Sequence, residues 1–468
     1  MTSTLTASPP VVARPAATSW APLFVVLTGT FVTFLDFFIV NVALPAIHTD
    51  LHAGSAAVSL VVAGYGLTFA VGMITGGRLG DIYGRRRIFA LGLALFTLTS
   101  AGCGLAPGAG VLVAARMLQG ASGALLTPQV LAILGTSYDG ERRGRAFAAY
   151  GFAMGIAGVL GQLVGGALIH ADVAGLGWRA IFLINVPIGL AMLPMVRRVV
   201  PESRGAAARL DLTGMLLGSA AVTAVVLPLV EGREHGWPLW TWLSFAAAPL
   251  LGVAFIAHQR RRSGAGRSPL VDLTLFRLRT FAVGSLTAMT FSLVPPALFF
   301  VLALYLQQGR QYSALFSGTV FIAVGVGYFA ALLIAVPLAA RLGHQVLALG
   351  AVLVAAGCVV LAETAHTSSA WELTPGLALA GFGIGAVLVP LASTVLAGVD
   401  PQHAGSAAGV LSTAQQVGGA LGVAIIGVVF FGAGAVVHAF VVSLWVLAAL
   451  TVATAVLAQL LRPAQDWR

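Results

Sequence analysis

The chain has 468 residues, of which 59% are hydrophobic and only 9% charged, against about 45–50% and about 25% in soluble globular proteins. So few charges cannot cover a water-soluble surface, which excludes a soluble enzyme or binding module. The net charge of +10 rests on 25 basic residues, all of them arginine, and most fall between apolar runs, so topology explains the charge and no nucleic-acid partner is expected.

Residues 1–19, rich in Ala, Pro, Ser and Thr with a single Arg14, are expected to form a flexible tail and not a signal peptide. Apolar runs of about 20 residues, one bilayer crossing each, then predict fourteen helices at 20–46, 56–78, 87–106, 110–135, 145–169, 178–197, 211–230, 238–258, 281–306, 314–340, 345–363, 373–398, 404–432 and 436–461. Arg85, Arg86 and Arg87 follow helix 2, Arg142, Arg143 and Arg145 helix 4, Arg197, Arg198, Arg204 and Arg209 helix 6, and a run from Arg260 to Arg279 helix 8. The positive-inside rule makes these connections cytoplasmic, and an even number of spans places both termini there as well. The opposite connections carry Arg233 and Arg310 among His48, Asp50, His170, Asp172, Glu363 and His366. Cys103 and Cys358 lie inside apolar runs and read as small buried hydrophobes.

The chain repeats itself. Asp139, Gly144, Ala146, Gly158, Gly161 and Gly166 match Asp400, Gly405, Ala407, Gly419, Gly422 and Gly427 at a constant offset of 261 positions. Leu79 and Gly84 echo Leu338 and Gly343, and Gly123 and Pro128 echo Gly385 and Pro390, at nearly the same spacing. The reading is an all-α polytopic membrane protein with two six-helix bundles, 20–200 and 281–461. Two inserted helices in 201–262, a cytoplasmic linker at 263–280 and a tail at 462–468 complete it. Two pseudo-symmetric bundles with a site between them near the midplane suit alternating access.

Five segments carry a family resemblance: GRLGDIYGRRR (Gly77 to Arg87) between helices 2 and 3, LDFFIVNVALP (Leu35 to Pro45) in helix 1, RMLQG (Arg116 to Gly120) in helix 4, WRAIFLINVPIG (Trp178 to Gly189) opening helix 6, and AGSAAGVLSTAQQVGGALG (Ala404 to Gly422) in helix 13. PLVDLTLF (Pro269 to Phe276) precedes helix 9. Together these resemble the fourteen-helix drug:proton antiporters of the major facilitator superfamily, the EmrB/QacA type, over nearly the whole chain. The sequence departs from that pattern at Gln162, where the helix 5 motif usually has proline, and at Ile82, where a basic residue is usual.

Asp36 is the only carboxylate deep inside an apolar run, and a charge at the bilayer centre costs at least about 2.5–3.5 kcal/mol. It is the candidate proton carrier, a role that the helix 1 resemblance also implies; a protonated structural aspartate is the alternative. Arg116 is the only arginine well inside a run. At 1.5 Å per residue Asp36 lies roughly 15 Å and Arg116 roughly 9 Å from the outer ends of their helices, depths that permit a direct or water-bridged pair. Gly77, Asp81, Gly84, Arg85 and Arg86 form a candidate conformational switch at the cytoplasmic face, the glycines supplying a tight turn. Helix 5 carries Gly151, Gly155, Gly158, Gln162 and Gly165, and helix 13 Gly405, Gly409, Ser412, Gln416 and Gly419, as packing stripes. The candidates for a substrate cavity are Phe37, Tyr65, Gln119, Gln162, Tyr305 and Gln416, with Phe34, Phe38, Phe299 and Phe300 as further aromatics. Asn41 and Asn185 read as interhelix hydrogen-bonding residues.

No nucleotide loop, zinc-ligand spacing or hydrolase nucleophile motif occurs, so neither an ATP-driven pump nor an enzyme, and no cofactor or metal, is expected. The leading expectation is a monomeric inner-membrane exporter of lipophilic drugs or antibiotics driven by protons. A proton-coupled nutrient importer and a non-transporting scaffold or sensor are the alternatives.

Overall fold

The computed structural model describes residues 19–138, 140–204, 211–232, 235–267, 269–367, 369–396, 399 and 404–461. The tails at 1–18 and 462–468, with Arg14, Asp139, Arg209, Arg233 and Asp400, lie outside the described residues. Among the described residues, fourteen helices are long and apolar enough to span a bilayer. In chain order they are α1 (Ala21–Asp50), α2 (Ser55–Tyr83), α3 (Arg85–Gly104), α4 (Ala109–Ser137), α5 (Gly140–Ala171), α6 (Gly177–Val199), α7 (Leu212–Glu231) and α8 (Leu239–Gly264). There follow α9 (Arg279–Gly309), α10 (Ala314–Val320 continuing as Ile322–Leu342), α11 (Gln345–Thr364), α12 (Ala370–Leu396), α13 (Ala404–Gly432) and α14 (Val436–Gln459).

Several helices outrun their apolar stretches, because backbone hydrogen bonding continues where hydropathy stops. The clearest case is α2, which passes through Arg78 and Asp81 to Tyr83. Only Gly84 separates it from α3. Its φ of +107° is a conformation that glycine adopts without a Cβ clash. The stretch 79–86, expected as a loop, is therefore almost entirely helical, and Gly77 sits inside a helix, not in a turn.

In the first half α1 packs on α5, α2 on α4, and α3 on both α4 and α6; in the second, α9 packs on α13, while α12 packs on α10 and α11. The inserted α7 and α8 pack on one another, with α7 against both α2 and α13. The internal repeat has a packing counterpart. A Cβ on Gly161 of α5 would meet the Leu35 carbonyl of α1, and one on Gly422 of α13 the Leu293 carbonyl of α9. Likewise Gly166 abuts α10 at Ala314, and Gly427 abuts α2 at Ser59. Each glycine stripe thus abuts a helix of its own half and a helix of the other.

Contacts between the halves run along α5 and α10 and along α2 and α13. Away from the arginine-rich connections, Gly318 of α10 backs onto the Gln162 carbonyl, and Gln307 Nε2 donates to the Val42 carbonyl at 2.8 Å. Toward the arginine-rich end, Gly151 and Gly409 have no atom of another helix within 4 Å of where a Cβ would stand, among the described residues. A groove of about 270 Å³ opens there between α1 and α5, lined by Phe24, Leu27, Thr28, Phe31, Phe152, Ala153 and Ile156. The groove thus lies within the first half, and beside it Phe152 meets Phe329 of α10 at 5.7 Å between ring centres.

Candidate functional site

Asp36 and Arg116 meet directly inside the first half. Arg116 Nη1 stands 2.5 Å from Asp36 Oδ2, and both side chains are fully buried. The other carboxylate oxygen accepts from Gln119 Nε2 at 2.9 Å and Asn185 Nδ2 at 2.8 Å. Gln119 follows Arg116 by three residues, so one face of α4 presents both groups to α1. Its Oε1 accepts from Arg116 Nη1 at 2.7 Å, and its Nε2 also reaches Ser100 Oγ at 2.7 Å. Arg116 Nε donates to the Val61 carbonyl at 2.9 Å. Its guanidinium lies 4.3 Å from the Tyr65 ring centre and 5.6 Å from that of Phe182, where the ring faces attract a cation. Arg116 Nη2 has no hydrogen-bond partner among the described residues.

The pair is thus drawn from α1 and α4 and enclosed by α2, α3 and α6. Removing one partner from such a pair costs about 3–5 kcal/mol, because the other charge is left buried without compensation. A carboxylate on α1 whose counter-charge and donors come from α4 and α6 couples any change in its protonation to the packing of those three helices. Asn185 and Ser100 belong to this site. The signal for Asn185 was a lone amide within the apolar run of helix 6; Ser100 gave none, since an intrahelical bond would have served it equally well.

Four of the six cavity candidates are turned inward. Gln119 and Tyr65 belong to the Asp36 network. Gln162 is fully buried between α1 and α5, donating to the Phe38 carbonyl at 2.9 Å. Tyr305 is fully buried in the second half, its hydroxyl donating to the Ala365 carbonyl at 2.6 Å and its ring stacked on Phe440 at 4.1 Å. Polar groups in an apolar medium take protein partners where these are available, which removes them from cavity walls. Phe37 and Gln416 remain half-buried. Phe37 links Tyr65, at 5.7 Å between ring centres, to Phe38, which meets Phe299 of the second half at 5.3 Å. Phe300 is buried, and Asn41 bonds within its own helix, to the Phe38 carbonyl.

At the arginine-rich end Arg85 pairs with Asp81 at 3.0 Å, one turn apart. Arg86 is held elsewhere, by Glu202 just beyond α6: its backbone N–H donates to Glu202 Oε1 at 3.1 Å, and its Nε lies 3.6 Å from Oε2. Arg87 Nε stands 3.7 Å from the same oxygen. Glu202 was detectable as a lone carboxylate in an arginine-rich connection. A second acidic centre lies outside the spans, at Asp211, which caps α7 through the Gly214 N–H at 2.9 Å and takes His258 Nε2 at 2.7 Å and Gln259 Nε2 at 2.8 Å. Burial pushes the Asp211 carboxyl up, but these bonds and the nearby Arg262 charge outweigh it and hold the group below the usual carboxylate value.

The family model described as Major Facilitator Superfamily matches residues 26–423. A "Probable actinorhodin transporter" of Streptomyces coelicolor is 39% identical over 429 residues, covering 89% of this chain and 73% of that protein. A "Puromycin resistance protein" of Streptomyces alboniger is 37% identical over 431 residues, covering 90% and 84%. A "Cephamycin export protein" of Amycolatopsis lactamdurans is 36% identical over 434 residues, covering 88% and 86%. Among solved structures, a D-xylose–proton symporter superposes with a TM-score of 0.69 at 16% identity, covering 96% of this chain and 99% of that one, a likeness that speaks to the fold. Matches of this extent establish descent where the fold alone would not: the chain is a membrane transporter, not an enzyme, and belongs to the Major Facilitator Superfamily.

Proposed function

We propose that this transporter is a proton-coupled antiporter that exports lipophilic drugs or antibiotics from the cytoplasm. The bundles 20–200 and 281–461 rock against each other, the arginine-rich connections and both termini are cytoplasmic, and the groove beside Phe24, Phe31 and Phe152 is open to the inside. The observation that carries the reading is the sealed Asp36–Arg116 pair. A buried ion pair is weak support for stability, and one placed where protonation alters the bonding of three helices suits a coupling role. The export direction rests on the named relatives, which include resistance and export proteins.

Protonation of Asp36 removes the charge that holds Arg116. The guanidinium then relies on the Val61 carbonyl, Gln119 and the Tyr65 ring, and α1 is free to shift against α4. Substrate acts on the same equilibrium through the shape of the interface, because Asp36 does not touch it. A proton crossing 100 mV releases about 2.3 kcal/mol before the pH term, which permits accumulation against a gradient.

The test is transport by the purified protein in liposomes with an imposed pH gradient, after a resistance panel including puromycin and a cephamycin in an efflux-deficient host has identified a substrate. Accumulation that collapses when the gradient is discharged supports antiport. Accumulation indifferent to the gradient removes proton coupling, and net uptake by intact cells makes the protein an importer.

A further inference from the structure

Gln162 occupies the position where the resembling helix 5 motif has proline, and the structure gives it a job that proline cannot do. The turn of α1 from Leu35 to Ile39, which carries Asp36, is seated on the glycine stripe of α5. A Cβ on Gly158 would stand 3.4 Å from the Phe38 ring, on Gly161 3.1 Å from both the Leu35 carbonyl and Phe38 Cβ, and on Gly165 2.7 Å from Ile39 Cγ1. In the middle of this close-fitted face, Gln162 Nε2 donates to the Phe38 carbonyl at 2.9 Å. Its other amide atom, Oε1, is buried with no hydrogen-bond partner among the described residues. An apolar side chain would fill the slot without leaving that acceptor unsatisfied, so stability alone does not account for an amide here. The backbone of the same residue faces the other half: a Cβ on Gly318 of α10 would stand 2.5 Å from the Gln162 carbonyl. Gln162 therefore sits at a junction of α1, α5 and α10, between the turn that carries Asp36 and the contact of α5 with the other half.

We propose that Gln162 is a positioning residue of the proton step: by tying the Asp36-bearing turn of α1 to α5, it fixes how far Asp36 stands from Arg116 and so sets the pH at which Asp36 exchanges its proton. This rests on the reading of Asp36 as the proton site. The titratable groups that face Asp36 are Arg116 from α4, Tyr65 from α2 and Cys103 from α3, the last through Gln119 Oε1 at 3.5 Å. From α6 comes the neutral Asn185, while the Gln162 amide of α5 reaches the turn only at the Phe38 carbonyl. Of these Arg116 alone carries a charge, so the Asp36–Arg116 distance is the main variable. Freeing the turn lengthens that pair, and a carboxylate farther from its guanidinium keeps its proton to higher pH.

The experiment needs no substrate. Infrared difference titration of the detergent-solubilised full-length protein follows the carboxyl band that Asp36→Asn abolishes. In Gln162→Leu its midpoint should rise by about half a pH unit or more. Gln162→Met, which also fills the slot without a donor, carries the same expectation and covers a failure of the leucine variant to fold. A wild-type midpoint in a folded variant would overturn the proposal while leaving the proton site standing. Absence of any Asp36-dependent band titrating in the wild type would remove both.

Discussion

Replacing Asp36 by asparagine changes little in volume and much in charge. In the wild type Oδ2 faces Arg116 Nη1, and Oδ1 accepts from Gln119 and Asn185, so three donors converge on two acceptor oxygens. An amide supplies one oxygen and one NH2 group. If its oxygen turns to Arg116, its NH2 opposes the amide donors of Gln119 and Asn185; if it turns the other way, the NH2 opposes the guanidinium. Either orientation leaves a charged or polar donor buried without its acceptor, and Arg116 without its counter-charge, a loss of about 3–5 kcal/mol. Asp36→Asn should therefore unfold at a visibly lower temperature in detergent, and Asp36→Asn combined with Arg116→Gln should recover most of that loss, since no charge then remains stranded. Neither variant should accumulate substrate in liposomes under an imposed pH gradient, although both should retain downhill exchange. Gradient-driven accumulation by Asp36→Asn at the wild-type rate would refute the assignment and move suspicion to Asp81 or a histidine. Equal stability of the single and double variants would refute the account of the ion pair.

The substrate range should favour neutral or monocationic lipophilic compounds, because the one carboxylate at depth is sealed inside the first half; dications emerging as the best substrates in competition assays would contradict this. A cysteine placed by Gly264→Cys should be labelled by membrane-impermeant reagent only after cells are opened, and strong labelling of intact cells would reverse the proposed orientation. Asp211→Ala should weaken the cap of α7 by about 1 kcal/mol and loosen the segment that Gln259 holds through the backbone N–H of Leu270 at 2.7 Å, a change that limited proteolysis of the 263–280 linker reads directly. Because the Asp211 carboxyl is held below its usual value of 3.8, its contribution is present above that value and lost only as pH falls below it. The wild-type linker should therefore resist proteolysis across the physiological range, and susceptibility already rising near neutral pH would show that another group controls it.

The spans were legible because a bilayer imposes one length on every crossing, and apolar runs report that length directly. Their ends were not, since α2 keeps its hydrogen bonds through Arg78 and Asp81, whose charges stop a hydropathy reading but not a helix. The Asp36–Arg116 pair was legible from two isolated charges at compatible depths. Its shell was only half visible: Gln119 stood three residues from Arg116 and still read as a cavity wall, because the pattern gives the helix face but not which neighbour covers it. Gln162 and Tyr305 are polar residues of the same kind, each bonded to a backbone carbonyl. A polar residue in an apolar run shows that a partner is needed, and only the packing shows whether that partner is backbone, side chain or substrate.

The burial of Asp36 constrains any coupling scheme more tightly than its presence does. A carboxylate lining the cavity would exchange proton for substrate by direct competition, and would restrict the range to molecules able to replace a proton. Here three donors from α4 and α6 occupy the carboxylate, and the cross-half surface reached from its helix turn is made of Phe37, Phe38 and Phe299 on one side and Gln162 on the other. On the proposed function, competition then acts through the position of α1, which is shared by Asp36 and the interface. An antiporter built this way sets its substrate range by shape and apolar area at the interface, and its proton affinity by the distance between two side chains that substrate never touches. The two properties should therefore respond to different mutations, with changes at Phe37 or Phe299 altering which compounds are exported and changes at Gln162 altering the pH at which export runs.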